Sequence, residues 1–184
     1  MSHRFWNIYD EYIERPGAAE LKEWLLSTDI ETAPASTKYH EAYSGGLMDH
    51  CVKVWDELIR LLKAYPELKI TAETAAICAL LHDVCKVNTY KVEYRNRKNA
   101  YGQWEKYPAY VFNEDFSFGG HGSKSVYLIQ RFMPLNEAEA TAINCHMGEV
   151  NGDYSVYDAY RQYPLAFLIH TADTAATIKF KEEN

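Results

Sequence analysis

The chain has 184 residues, with 47% hydrophobic residues, 24% charged residues and a formal net charge of −7. That length suits one domain with a sizeable core and is short for two, and the composition is that of an ordinary globular protein. The acidic balance argues against binding long nucleic acid, which relies on many cation–phosphate contacts, and no run of 18 or more apolar residues offers a helical membrane span.

A first helix is predicted over 5–15, broken by Pro16-Gly17. A second, over 18–27, places Leu21, Trp24, Leu25 and Leu26 on an amphipathic face. Residues 30–43 read as a loop containing Pro34. Gly45-Gly46 opens a long helix over 47–65, in which Leu47, Cys51, Val54, Trp55, Leu58, Leu61 and Leu62 recur at helical spacing and Pro66 is the stop. Thr71 is a good N-cap for the next helix, with Glu73 in its first turn, and that helix ends near His82-Asp83.

The character changes after Lys86. Tyr90, Val92 and Tyr94 alternate with polar neighbours as a strand does, Asn96 to Gly102 is turn-like, and residues 103–112 supply a return strand. The result is a β-hairpin inserted over 88–118, rich in aromatic residues that include Trp104, Phe112, Phe116 and Phe118. Gly119-Gly120 precedes a helix over 121–132, and Asn136 caps another that runs to about residue 146 with Glu137 and Glu139 in its first turn. A loop with Gly148, Gly152 and Asp153 leads to a last helix over 163–180, largely buried through Leu165, Phe167, Leu168, Ile169 and Ala172. The expected fold class is mainly α.

The N-terminal stretch Met1-Ser2-His3-Arg4-Phe5-Trp6 has no secretory apolar core, so a cytoplasmic location is the default expectation. The cysteines, Cys51, Cys78, Cys85 and Cys145, form no Cys-x-x-Cys pair and sit in apolar segments, as buried free thiols do. Between Lys86 and Lys106, six basic residues (Lys86, Lys91, Arg95, Arg97, Lys98, Lys106) face two acidic ones (Glu93, Glu105), a local excess of four positive charges. Such an arm fits a small anionic substrate as well as it fits a solvated basic loop.

The chemistry concentrates at His82-Asp83, which ends the apolar run Ala75-Ala76-Ile77-Cys78-Ala79-Leu80-Leu81 and precedes Lys86. Ionisable groups at the end of a buried helix are costly unless something satisfies them. A divalent metal ion would do so, because His50, His121, His146 and Asp173 offer further ligands of the imidazole and carboxylate types. Asp173, inside Phe167-Leu168-Ile169-His170-Thr171-Ala172-Asp173, should be protonated, paired or metal-bound. Taken singly, each histidine reads as a hydrogen-bonded core residue, Asp83 as a helix-end carboxylate, and Lys86 as a partner of the helix C-terminus. Taken together, the order, the His-Asp pair and the following lysine are far more specific than any single short motif.

The segments Tyr43-Ser44-Gly45-Gly46-Leu47-Met48-Asp49-His50, Leu80-Leu81-His82-Asp83-Val84-Cys85-Lys86, Gly120-His121-Gly122-Ser123-Lys124-Ser125 and Ala172-Asp173 resemble the HD-domain metal-dependent phosphohydrolase superfamily. The Gly-Gly-Leu-x-x-His helix start and the inserted hairpin are most similar to the HD domain of bacterial 3′-to-5′ exoribonucleases. Cys85 stands where the superfamily often has glycine. The resemblance implies a single helical-bundle HD domain over 1–184, with 1–38 as an N-terminal helical extension and 88–118 as the hairpin insertion. It implies two divalent ions (Mn, Fe, Ni, Co, Zn or Mg), the first held by His50, His82, Asp83 and Asp173. Asp83 would bridge to a second, held also by His121 and His146. The implied reaction is hydrolysis of a phosphate ester of a nucleotide or short oligonucleotide through a metal-bound hydroxide, with Asp83 and Lys86 central. His40 and Lys124 are candidates for phosphate contact or leaving-group protonation. Tyr90, Tyr94 and Trp104 could stack a base while Arg95, Arg97 and Lys98 reach phosphates, or the aromatics could simply be the packed face of the hairpin. Two other readings stay open: a di-iron oxygenase and a non-catalytic, metal-stabilised nucleotide-binding module. Oligomeric state is not legible.

Overall fold

In the computed structural model, residues 2–113, 119–148 and 156–178 are described. The helices are α1 (Ser2–Tyr12), α2 (Ala18–Leu26), α3 (Gly46–Ala64), α4 (Ala72–Leu81), α5 (His121–Gln130), α6 (Glu137–Asn144), α7 (Val156–Gln162) and α8 (Pro164–Thr177), with an antiparallel hairpin of β1 (Tyr90–Lys98) and β2 (Trp104–Phe112) between α4 and α5. The fold is therefore mainly α with a two-stranded hairpin. Among the described residues, no helix is long and apolar enough to cross a membrane.

Helix α4 explains the core. Every residue from Ala75 to Leu81 is buried, and a helix apolar on all sides must be surrounded. It is packed by α1, α3 and α6, while α3 also packs along α8. Phe5, Leu21 and Leu25 are fully buried, so the two N-terminal helices share this core. Thr71 caps α4 by accepting from the Thr74 amide at 3.1 Å. Asn136 and Glu139 form a reciprocal capping box at the start of α6, at 2.9 and 3.0 Å.

Several predicted boundaries move, each for a local reason. Helix α1 stops at Tyr12 instead of residue 15, because the Glu14 and Arg15 amides donate to Glu73 Oε1 at 3.1 and 3.0 Å. The hairpin turn occupies 99–103 and not 96–102. Asn99 Oδ1 accepts from the Tyr101 and Gln103 amides, both at 3.0 Å, and Asn96 stays in β1 opposite Lys106. Helices α5 and α6 end two residues early. The single last helix is two: Pro164, which has no N–H to give, starts α8, and the short α7 precedes it. The predicted positions Phe116, Phe118, Gly152, Asp153 and residues 179–180 lie outside the described residues.

Candidate metal centre

Five helices and one tight turn bring the proposed ligands together. His50 sits one turn into α3. The start of α3 lies against the preceding loop so closely that a Cβ on Gly46 would fall 1.9 Å from the Glu41 carbonyl oxygen, so only glycine fits there. His82 ends α4, and Asp83 enters the 3₁₀ turn Val84–Lys86, whose Cys85 amide donates to the buried Ser125 hydroxyl of α5 at 3.1 Å. His121 opens α5. A Cβ on the next residue, Gly122, would lie 2.3 Å from the Asn144 carbonyl oxygen, so this glycine lets α5 approach the end of α6, just before His146. Asp173 projects from α8 beside buried Ala172.

Asp83 is the centre of the cluster. Its Oδ2 lies 3.6 Å from His50 Nε2 and 3.5 Å from His82 Nε2, while its Oδ1 lies 3.5 Å from His146 Nε2. Asp173 Oδ1 is 3.0 Å from His50 Nε2 and 3.9 Å from His82 Nε2. Ligand atoms of Asp83, Cys85 and His121 also lie within 4.8 Å of one another. Ligands held at about 2.1 Å from one ion stand roughly 3 to 3.5 Å apart, so these separations suit shared cations.

The donor chemistry fits as well. His82 Nδ1 donates to the Ala79 carbonyl at 3.0 Å and His146 Nδ1 to the Ile143 carbonyl at 2.7 Å, which leaves each Nε2 as a lone pair facing inward. Asp83 Oδ1 and His146 Nε2 are buried and have no hydrogen-bond partner, a costly arrangement that a cation would relieve.

Electrostatics prepares the same groups. Burial, the largest influence on Asp83, pushes its carboxyl up, but Lys86, His82 and His146 together hold it well below the usual carboxylate range. Burial likewise opposes ionisation of Asp173, yet the His50 hydrogen bond and the His82 and His50 charges bring it to about 2. Lys86 is only 6% exposed, with Nζ 2.6 Å from Asp83 Oδ2. Burial lowers its pKa, but the charge of Asp83 and the hydrogen bond to it more than compensate, so the ammonium persists. Burial lowers His40 and His121, favouring neutral imidazoles. It pushes the Cys85 thiol up to about 12, so this fully buried residue, outside the cavity lining, stays a neutral thiol.

A cavity of about 480 Å³ opens onto the cluster. It is lined by Asp83, Lys86, His121, His146 and Asp173 at its base and by Tyr39, His40, Tyr90 and Phe112 higher up. His82 and His50 lie behind this surface, fully buried. Lys124 is half-buried on α5 outside the lining, and its charge is felt at Cys85 and His121. The rest of the hairpin candidates stand away from the cavity. Tyr94 is 74% exposed, Arg97 Nε donates to Glu105 at 2.6 Å, and Lys98 lies over the Trp104 ring. Arg95 lines a different groove.

One neighbour of the centre escaped the sequence reading of its segment; a second, His170, reads from its place three residues before Asp173 as a satisfied core histidine. Glu41, in the stretch read as loop, is buried at a strained φ of 42° and pairs with Lys53. It lies with His40 and His50 in a group whose polar atoms are within 4.8 Å, and its Oε2 and His50 Nδ1 are both buried without partners. No local pattern marks it. His170, three residues before Asp173 on the same helix, donates from Nδ1 to the His146 carbonyl at 2.7 Å and so braces that segment from behind.

A family model for the HD domain matches residues 47–177. The chain belongs to the HD-domain family. At the family level it is a metal-dependent phosphohydrolase. Among curated proteins it is similar to the dihydroneopterin 2′,3′-cyclic phosphate phosphodiesterase of Methanocaldococcus jannaschii. The two are 28% identical over 83 residues, 44% of this chain and 33% of that protein, so the match spans about a third of the relative's length. No solved structure matches.

Proposed function

We propose that this HD domain cleaves a phosphodiester in a small nucleotide-type substrate, with two divalent ions per chain. His50, His82, Asp83 and Asp173 would hold one ion, and Asp83, His121 and His146 the other. Such ions supply Lewis acidity at the phosphoryl oxygens and a hydroxide nucleophile at neutral pH. The observation that carries the reading is the division of Asp83: one carboxylate oxygen faces His50 and His82, the other His146.

The chain's own residues then have separate tasks. Lys86, charged and held on the cavity wall, is placed to receive a non-bridging phosphate oxygen. Neutral His40, in ring contact with His50 at 4.9 Å, offers an N–H to the phosphate or the leaving oxygen. Lys124 adds positive potential from behind His121. Tyr90 and Phe112, with ring centroids 5.3 Å apart, provide an apolar wall against which a base or similar ring fits. The relative's name, which specifies a cyclic phosphodiester carried on a ring system, supports that substrate class.

The test is hydrolysis of nucleotides, 2′,3′-cyclic nucleotides and short oligonucleotides with Mn²⁺, comparing wild type and Asp83→Ala. Turnover that falls by roughly 10³ or more in the variant is expected, because the residue common to both proposed ligand sets is gone. Equal rates would overturn the mechanism. Iron-dependent oxygen consumption would favour the oxygenase reading, and nucleotide binding without turnover the binding module.

A further inference from the structure

Beside the metal cavity lies a second groove of about 470 Å³. The two adjoin, since Thr37 and Phe112 line both. Each is in the size range of a small-molecule site. The second groove runs between the loop after Ala35 and the base and middle of the hairpin, with Lys38 and Arg95 as its cations and Tyr107 and Tyr110 among its lining residues. Among the described residues, no carboxylate lines it.

The charges on the hairpin make this arrangement selective. Lys91 pairs with Glu93 at 3.5 Å and Arg97 with Glu105 at 2.6 Å. Arg95 lies between Lys91 and Arg97 on the same face of β1, opposite Tyr107, and makes no ion pair among the described residues. Lys38 across the groove lies over the ring of Tyr39 at 5.1 Å and likewise has no carboxylate partner among them. Tyr39 in turn lines the metal cavity. In a chain of net charge −7, two cations without a carboxylate partner among the described residues, on a wall continuous with the metal cavity, attract a second anion to that spot.

We propose that this groove is a subsite for a second phosphate of the substrate, on the nucleotide next to the bond that is cleaved. The inference rests on the phosphodiesterase reading and narrows it: the substrate class is a short, phosphate-bearing oligonucleotide, in preference to a mononucleotide or a cyclic mononucleotide. Arg95 and Lys38 determine specificity by pairing with that distal phosphate, while Tyr107, on the Arg95 face of the hairpin, faces the intervening nucleotide.

The experiment compares two dinucleotides that share the scissile diester, one with a terminal phosphate (placed at the 5′ or the 3′ end) and one without, alongside bis(p-nitrophenyl) phosphate. Wild type should prefer one phosphorylated dinucleotide by about tenfold in kcat/KM, carried mainly by KM and weakened near 1 M salt. In Lys38→Ala/Arg95→Ala that ratio should collapse toward unity, and Arg95→Lys should recover part of it. A wild-type ratio near unity for both ends, or a ratio kept in the double variant, would overturn the subsite. Failure to hydrolyse any of the diesters, bis(p-nitrophenyl) phosphate included, would overturn the phosphodiesterase reading itself.

Discussion

The buried centre and the exposed hairpin are built on opposite physical terms. Around Asp83, the polar groups of His50, His82, Lys86 and His146 are held at 0 to 6% exposure by the packed helices, and His82 and His146 are fixed by backbone hydrogen bonds behind them. In β1, every residue from Lys91 to Lys98 is exposed, and the two strands pair chiefly with each other. The difference teaches where the chemistry can reside. Precise separations among His50, His82, Asp83 and Asp173 require a dense, preorganised scaffold. The hairpin can tune what enters through its base, where Tyr90 and Phe112 meet the cavity, and through the groove it shares with the preceding loop.

The sharpest way to break this comparison is Lys86→Met. It keeps the length of the side chain but removes the ammonium that hydrogen-bonds to Asp83, and kcat should fall by roughly 10² with a smaller change in KM. Unchanged kcat in steady-state assays would show that Lys86 only neutralises Asp83.

A pH series separates the two regions by stability. Asp83 and Asp173 ionise below the unfolded-state value of about 3.9, so in metal-free protein they stabilise the fold above that pH. That contribution is lost as pH falls through the folded values, about 2 for Asp173. Urea unfolding should therefore give a stability that already falls below about pH 6.5, where the unfolded chain protonates His40 and His121 that burial keeps neutral, and a further decline from about 4 downward that is reduced in Asp173→Asn. An undiminished decline in that variant would remove Asp173 from the balance. The exposed Arg97–Glu105 pair is screened by solvent and should add nothing measurable.

The smallest effects belong to the outer hairpin. Trp104→Ala and Lys98→Ala, at one of the most exposed ends of the chain, should alter kcat/KM by less than about twofold and stability by less than about 0.5 kcal/mol. A larger loss of activity in Trp104→Ala would mean that the hairpin tip closes over substrate.

Much of the fold was legible because its signals are local. The Thr71 and Asn136 caps, Pro66 after α3, and the all-apolar α4 follow from side-chain types at fixed offsets. The hairpin turn was displaced because Asn96 and Asn99 are both plausible turn residues, and only strand pairing selects the second. Short α7 carries no buried residue to reveal its period. At the site, the His82-Asp83 pair and Asp173 stood out as charges in apolar runs. Glu41, Tyr39 and Thr37 did not, since a loop reaches the centre only through tertiary packing against α3. The basic run 86–106 read as one arm, whereas the structure divides it: Lys86 is buried beside Asp83, Arg95 lines a groove, and Lys91 and Arg97 pair within the hairpin.

The most direct test of the central claim, that Asp83 joins two ligand sets, is a count of Mn²⁺ bound per chain by calorimetric titration in wild type and in His146→Ala. Two ions are expected for wild type and one for the variant, with the tighter ion retained by His50, His82, Asp83 and Asp173. One ion in wild type, with the same count and affinity in the variant, would contradict it.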